Sequence, residues 1–298
     1  MFEGCEKLSI NYLRLPSLVN GTKMFYNCKK LLTCTYNGLA NEVSAKLDKL
    51  INGKEMFYNC TGLEYFYSYL GSLVDGNSMF KKCKNLREFS CSYTIVDGVT
   101  FYPELPALID ADNMFEDCEN LLHFCATFPV ITKANKTFYN CKELTSFYSD
   151  LPICTTMNQT FYNCIALEKF ECRMPMLLDG TGMFENCTKL EVFYSCLSSL
   201  TTNRRMFYNC NSLSVFEAEL PYISTASEMF TGCSNLSIFR CNNLGIESEY
   251  KDLLKDAKNS LRHGDITTTK LTDVTEMFLN FTALESMYLT LSGNGGDG

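Results

Sequence analysis

The sequence predicts a repeat solenoid, with a parallel β-sheet along one face and short helical turns or loops along the other. Three observations point there. A motif of the form M-F-x-x-C returns along the chain in register, the residues after it alternate with the period of a strand, and a proline often follows that alternation.

The register comes first. Counting the motif phenylalanine as position 1, copies start at Phe2, Phe25, Phe57, Phe80, Phe115, Phe138, Phe161, Phe184, Phe207, Phe230 and Phe278, and every step from Phe115 to Phe230 is 23 residues. Two earlier steps, of 32 and 35, equal one period plus insertions of 9 and 12 near residues 40–50 and 93–104. The last gap of 48 divides at Leu254 into two steps of 24, a degenerate unit near 253–276 with Ala257 in the cysteine place. That gives about twelve units over residues 1–291, followed by a Gly-rich tail at 292–298. A period of 23 is too short for a helix pair or a propeller blade and suits one strand and one turn per coil.

Within a unit the apolar positions 10, 12 and 14 alternate as a strand does, whereas positions 23, 1, 4 and 7 have helical spacing. Each coil therefore reads as a turn of helix, a strand and a return loop. Pro16, Pro129, Pro152, Pro175 and Pro221 sit where they end strand pairing. One coil cannot bury its own apolar face, so stacking builds the core; twelve rungs at ~4.8 Å would extend for roughly 50 to 55 Å.

Composition narrows function. The 298 residues are 46% hydrophobic, with a net charge of −8 and a pI near 5.0, and the 26 Lys and Arg are scattered. That argues against a nucleic-acid partner. No apolar run reaches the ~18 to 20 residues of a transmembrane segment, and the opening MFEGCEKLSINYLRLP lacks the pattern of a signal peptide.

Seventeen cysteines would suggest disulfides, but ten of them, Cys5, Cys28, Cys60, Cys83, Cys118, Cys141, Cys164, Cys187, Cys210 and Cys233, share position 4. Equivalent residues one rung apart lie ~4.8 Å from each other, beyond the ~3.5 to 4.5 Å Cβ separation of a disulfide. They are expected to be reduced, buried spacers whose S–H meets a loop carbonyl. A catalytic loop is needed once; a copied one is a building unit. Cys91, Cys172 and Cys241 fall at inward position 12, and Cys125 and Cys196 at outward positions 11 and 13.

No nucleophile, ligand or phosphate-binding motif accompanies this pattern. The two histidines, His123 and His263, have no recognisable partner, and the segment Asp110–Asn113 lacks the glycine and distal glutamate of a calcium loop. No metal, cofactor or enzymatic activity is expected. Asn20, Asn158 and Asn280 begin N-x-[ST] triplets that ride on the repeat and receive no role.

With positions 10, 12 and 14 inward, positions 9, 11 and 13 project from the sheet. The candidate ligand-binding strip is therefore Tyr65, Tyr67 and Tyr69, then Tyr148 and Asp150, then Lys169, Glu171 and Arg173, then Tyr194, then Glu217 and Glu219, and finally Arg240 with Asn242. Tyrosine joins a large contact area to a polar tip at small rotamer cost, as binding surfaces favour.

The motif M-F-x-x-C-x-x-L-x-x-F, with a following L-P and its 23-residue period, resembles the BspA-like class of leucine-rich repeats, from Phe2 to about Leu291. Phenylalanine at strand position 10 and Phe281 in the last cysteine place depart from the class. The resemblance implies a leucine-rich-repeat solenoid, concave on the sheet side, and a bacterial or phage surface protein. Two readings follow: an adhesin-like scaffold binding a protein or surface glycan through the concave strip, or an assembly protein, such as a virion component, self-associating end to end. The first coil, lacking a polar cap, is expected to expose Phe2, Cys5 and Leu8.

Overall fold

The computed structural model describes residues 1–9, 15–31, 33–34, 45–90, 95–96, 99–100, 104–247, 250–271 and 274–291, with the backbone alone at 33–34, 45–46, 95–96 and 99–100. Most of both insertions, the side chains of Cys34 and Cys91, and residues 292–298 lie outside the described residues.

The chain coils into a solenoid whose coils pair through parallel strands. In order the strands are β1 (Thr33–Cys34), β2 (Ala45–Lys46), β3 (Tyr65–Tyr69), β4 (Glu88–Ser90), β5 (Ile95–Val96), β6 (Val99–Thr100), β7 (His123–Cys125), β8 (Ser146–Tyr148), β9 (Lys169–Glu171), β10 (Val192–Tyr194), β11 (Val215–Glu219), β12 (Ile238–Asn242), β13 (His263–Thr268) and β14 (Ser286–Leu291). β1 and β2 are two pieces of one coil's strand, both beside β3. The repeat sets the register, with Phe66 beside Phe89, Phe89 beside Phe124, and Phe193, Phe216 and Phe239 in line. Only β5 and β6, inside the second insertion, pair antiparallel among the described strands.

Two phenylalanine columns form the core. Position 1 stacks face to face from Phe2 to Phe230, for example Phe138 on Phe161 at 5.3 Å and Phe161 on Phe184 at 5.5 Å. Position 10 makes a second column, and the two meet edge to face, as Phe161 does on Phe147 at 5.1 Å. Offset stacks and T-shaped contacts are the two arrangements the ring quadrupole favours. Met and Leu at positions 23, 7, 14 and 17 close the coil around them, as Met183, Leu190, Leu197 and Leu200 do with no exposed surface.

The side opposite the strands is built of turns, with 3-10 helix limited, among the described residues, to Tyr250–Asp252 and Lys255–Ala257. The reason is two left-handed residues per coil, such as Gln159 (φ 53°) and Asn163 (φ 60°), which interrupt a helix after one turn. Their effect is to turn alternate N–H groups along the solenoid. Met157, Gln159, Phe161 and Asn163 donate to carbonyls of the next coil at 2.8–2.9 Å, while Thr160, Tyr162 and Cys164 close turns within their own. Both sides of the solenoid are thus hydrogen-bonded rung to rung, which meets the accounting demand of buried backbone without a helix.

The degenerate coil keeps Leu254 in the motif place, while its strand is displaced by one residue. Ala257 is buried and donates its N–H to the Leu254 carbonyl, as a motif cysteine does to its phenylalanine. Leu261 then follows four residues after Ala257, where other coils take three, so Gly264 rather than His263 pairs with Phe239, and Met287 follows Gly264. The strand steps are 25 and 23 residues. Met287 reaches over the space that Gly264 leaves in the aromatic column.

Candidate functional site

The cysteines of the repeat separate from any site. From Cys28 to Cys233 each position-4 thiol donates to the carbonyl of the preceding coil's motif phenylalanine, as Cys164 does to Phe138 at 3.1 Å and Cys187 to Phe161 at 3.0 Å. Burial pushes up the thiols of Cys28, Cys118, Cys141, Cys164, Cys187, Cys210 and Cys233, the last to about 12, so their thiolate is scarce at neutral pH. Cys5 departs from the ladder: it is exposed, because no described coil stands before it to supply the carbonyl or cover it. Phe2 and Leu8 beside it are half-buried. Fifteen described cysteines are free thiols. Cys125 is exposed and Cys196 half-buried, while Cys172 and Cys241 are buried.

The strand face is uneven. In the first coils Tyr65 and Tyr67 are half-buried and stack at 6.4 Å, and the Tyr67 hydroxyl donates to the Glu88 carboxylate. Burial, then the Glu88 charge, raises the Tyr67 phenol well above its ordinary value. Tyr67 is therefore committed within the protein, and Tyr69 is the exposed member of the trio. Farther along, Glu217 holds Arg240 at 3.2 Å, and Glu219 and Asn242 point to solvent.

Between these regions strand pairing stops twice, from β7 to β8 and from β9 to β10. The first gap has a visible cause. Phe128 stands at position 14, where the following coils carry Leu151, Met174 and Leu197, and its ring lies 5.3 Å from Phe124 and 6.4 Å from Phe147. The Phe124–Phe147 step of the column widens to 6.1 Å, against 5.5 Å for Phe89–Phe124, and the next two steps are 5.8 Å. Serines take over where backbone partners separate: Ser149 Oγ accepts the Phe128 N–H at 3.1 Å, and Ser195 Oγ donates to the Cys172 carbonyl at 2.6 Å.

The splay opens a cleft of about 660 Å³ across the strand face. Tyr148, Glu171 and Tyr194, the position-11 residues of three successive strands, line it together with Asp150, Arg173 and Thr127. Tyr148 and Tyr194 are 50% and 52% exposed, so about half of each side chain is in reach of a ligand. Asp150 binds Arg173 through its main-chain N–H at 3.0 Å and through Nε at 2.9 Å; this pairing holds the Asp150 carboxyl below its usual range. Lys169 is exposed outside the cleft. Of the thirteen strip residues, the structure gathers Tyr148, Asp150, Glu171, Arg173 and Tyr194 around one opening and leaves the others apart. Phe128 and the two serines escaped the sequence reading; an aromatic at position 14 was the available signal.

His263 has a partner the sequence reading missed. The register puts Ser286 beside it on β14, with Oγ 2.9 Å from Nδ1, and Glu285 Oε2 lies 3.8 Å from Nε2. Glu285 instead engages Arg262 at 3.2 Å. The imidazole therefore lacks the close carboxylate that orients a catalytic base. His123 is exposed on β7. Among the described residues no group of three or more His, Cys, Asp or Glu is placed to hold a metal ion, and no helix is long and apolar enough to cross a membrane.

A family model described as BspA type Leucine rich repeat region matches in six copies, over residues 1–102, 111–237 and 200–292. The crystal structure of a leucine-rich repeat protein from Bacteroides ovatus ATCC 8483, determined at 1.19 Å, is similar at 14% identity over 95% of this chain and 92% of that one, with a TM-score of 0.31. No curated protein matches the chain.

Proposed function

The chain belongs to the BspA-type leucine-rich repeat family, and we propose that it is a non-enzymatic recognition scaffold that binds a protein on a cell surface through the splayed part of its strand face. The observation that carries this reading is the cleft between β7 and β10, where Tyr148 and Tyr194 stand half in solvent over an opened aromatic column. Exposed tyrosines rimming a concavity are the anchors that protein interfaces use most. The remaining repeat machinery, the stacked rings and the buried thiols, is engaged in holding coils together. Surface glycans are the second ligand class to be tested.

The experiment is binding of the purified protein to a panel of cell-surface proteins and glycans. It is run beside Tyr148→Ser/Tyr194→Ser and a control on the opposite side, Tyr26→Ser/Tyr58→Ser. A protein ligand lost by the first variant and kept by the second supports the reading. A ligand kept by both, or concentration-dependent self-association with no ligand, refutes it; the latter result favours an assembly role.

A further inference from the structure

We infer that the cleft is a receptor for an arginine side chain of the partner protein, with Glu171 as the counter-charge and Tyr148 and Tyr194 as the two flanking rings. The inference deepens the strand-face reading and rests on it.

The arrangement is a tyrosine–carboxylate–tyrosine column on one face. Tyr148, Glu171 and Tyr194 share position 11 on β8, β9 and β10, so their side chains leave the sheet in the same direction. The rings of the column beneath are spaced 5.8 Å per step here, which sets the two tyrosines about 10 to 12 Å apart. A cation midway between them stands about 6 Å from each ring, within the outer reach of a cation–π contact. Glu171, exposed on the strand between them, presents its carboxylate to that position.

Charge favours the same occupant. The cleft holds three carboxylates, Glu104, Asp150 and Glu171, and one guanidinium, Arg173. Asp150 already satisfies Arg173 through the bonds at 2.9 and 3.0 Å, whereas no ion pair engages Glu171 or Glu104 among the described residues. An entering cation gains a carboxylate without breaking an existing pair. A neutral sugar would meet the rings and donate hydroxyl hydrogen bonds to the exposed Glu171, but it would bring no positive charge to it.

The chain displays the chemistry on its other side. Arg205 lies over the Tyr208 ring at 3.9 Å and reaches Glu185 at 2.9 Å, and Lys23, Lys82 and Lys136 sit over Tyr26, Tyr58 and Tyr139 at 5.4–5.6 Å. Those tyrosines own a cation supplied by the repeat. Tyr148 and Tyr194 have none among the described residues. Arginine is the better fit than lysine because its planar guanidinium stacks on rings while bonding a carboxylate with two parallel N–H groups.

The test follows tyrosine-ring NMR signals, assigned with Tyr148→Phe and Tyr194→Phe, during titration with three probes: acetyl-Gly-Ser-Arg-Ser-Gly-amide, the same peptide with citrulline for arginine, and N-acetylglucosamine. The arginine peptide is expected to shift both rings saturably. Citrulline, or the Glu171→Gln variant, should weaken that response about tenfold, one lost charge-assisted contact. Equal response to citrulline, a sugar response matching the arginine peptide, or no response to arginine overturns the inference. Glu171→Gln is also carried through the partner panel, with its circular dichroism checked against the parent. Partner binding that needs the tyrosines yet is unchanged in Glu171→Gln overturns the arginine site alone, whereas binding indifferent to the tyrosines overturns the strand-face reading itself.

Discussion

Replacing Phe161 by alanine should show whether the aromatic columns hold the coils together. Phe161 has no exposed surface and touches four rings, stacking on Phe138 and Phe184 at 5.3 and 5.5 Å and meeting Phe147 and Phe170 edge-on at 5.1 and 5.5 Å. A buried Phe→Ala change costs about 3 to 5 kcal/mol, and ring pairs add about 0.5 to 1.5 kcal/mol each beyond area. The expected loss is therefore about 5 kcal/mol, the upper end of the range. Phe161→Leu keeps most apolar volume and loses the stacking, for an expected loss of about 1.5 kcal/mol. The assay is urea unfolding followed by circular dichroism, paired with amide hydrogen exchange because a solenoid need not unfold in one step. Exchange should rise in the coils of Phe138, Phe161 and Phe184 and stay unchanged near Phe57. A loss below about 2 kcal/mol for alanine, or a uniform rise along the chain, would refute the nearest-neighbour account.

Three further outcomes follow from the same structure. Cys164→Ala should cost about 1 to 2 kcal/mol in the same unfolding assay, since a small buried side chain and its bond to the Phe138 carbonyl are lost while the Cys141 N–H still satisfies that oxygen. Iodoacetamide on the folded protein should modify Cys5 first, Cys125 and Cys196 more slowly, the one because burial and the Glu88 charge raise its thiol and the other because it is half-buried, and the thiols from Cys28 to Cys233 in the ladder only after urea, as peptide mass spectrometry would record. Asp150, whose carboxyl Arg173 holds low, contributes stability that is present above the ordinary carboxylate range and lost as pH falls through its depressed native value. The pair is exposed, so the effect is small, and Asp150→Asn should flatten the acid limb of the melting temperature only below the ordinary carboxylate range.

How far the sequence reached depends on which forces repeat. The 23-residue register, the inward phenylalanines and the thiol ladder were legible because each coil restates them, and a side chain buried in every rung must keep its size. Apolar spacing left open whether that face held short helical turns or loops, because it does not encode φ. The asparagine of M-F-x-N-C was a signal, since Asn27, Asn59, Asn140, Asn163, Asn186 and Asn209 all take the left-handed conformation that asparagine tolerates. The second left-handed place carried no such mark, being filled by Lys23, Glu55, Gln159 and Arg205 among others.

The site was less legible than the fold. Alternation correctly placed Tyr148 and Tyr194 outside, but it treated every rung alike and so ranked Tyr67 with them. Tyr67 is taken up by Glu88 on the next strand, a contact between rungs that a single-unit pattern does not contain. The first of the two gaps lies beside one enlarged residue, Phe128, whose ring meets Phe124 and Phe147. A proline at position 15 does not produce it, because Pro221 follows the fully paired β11.

The most direct measurement of the central claim is hydrogen exchange on the protein alone and with the ligand that the surface-protein panel identifies. Slowed exchange is expected at residues 146–150, 169–173 and 192–196, the three strands around the cleft, with the turns opposite unchanged. Slowing confined to the turns that carry Tyr26, Tyr58 and Tyr139, with the strands unaffected, would contradict it.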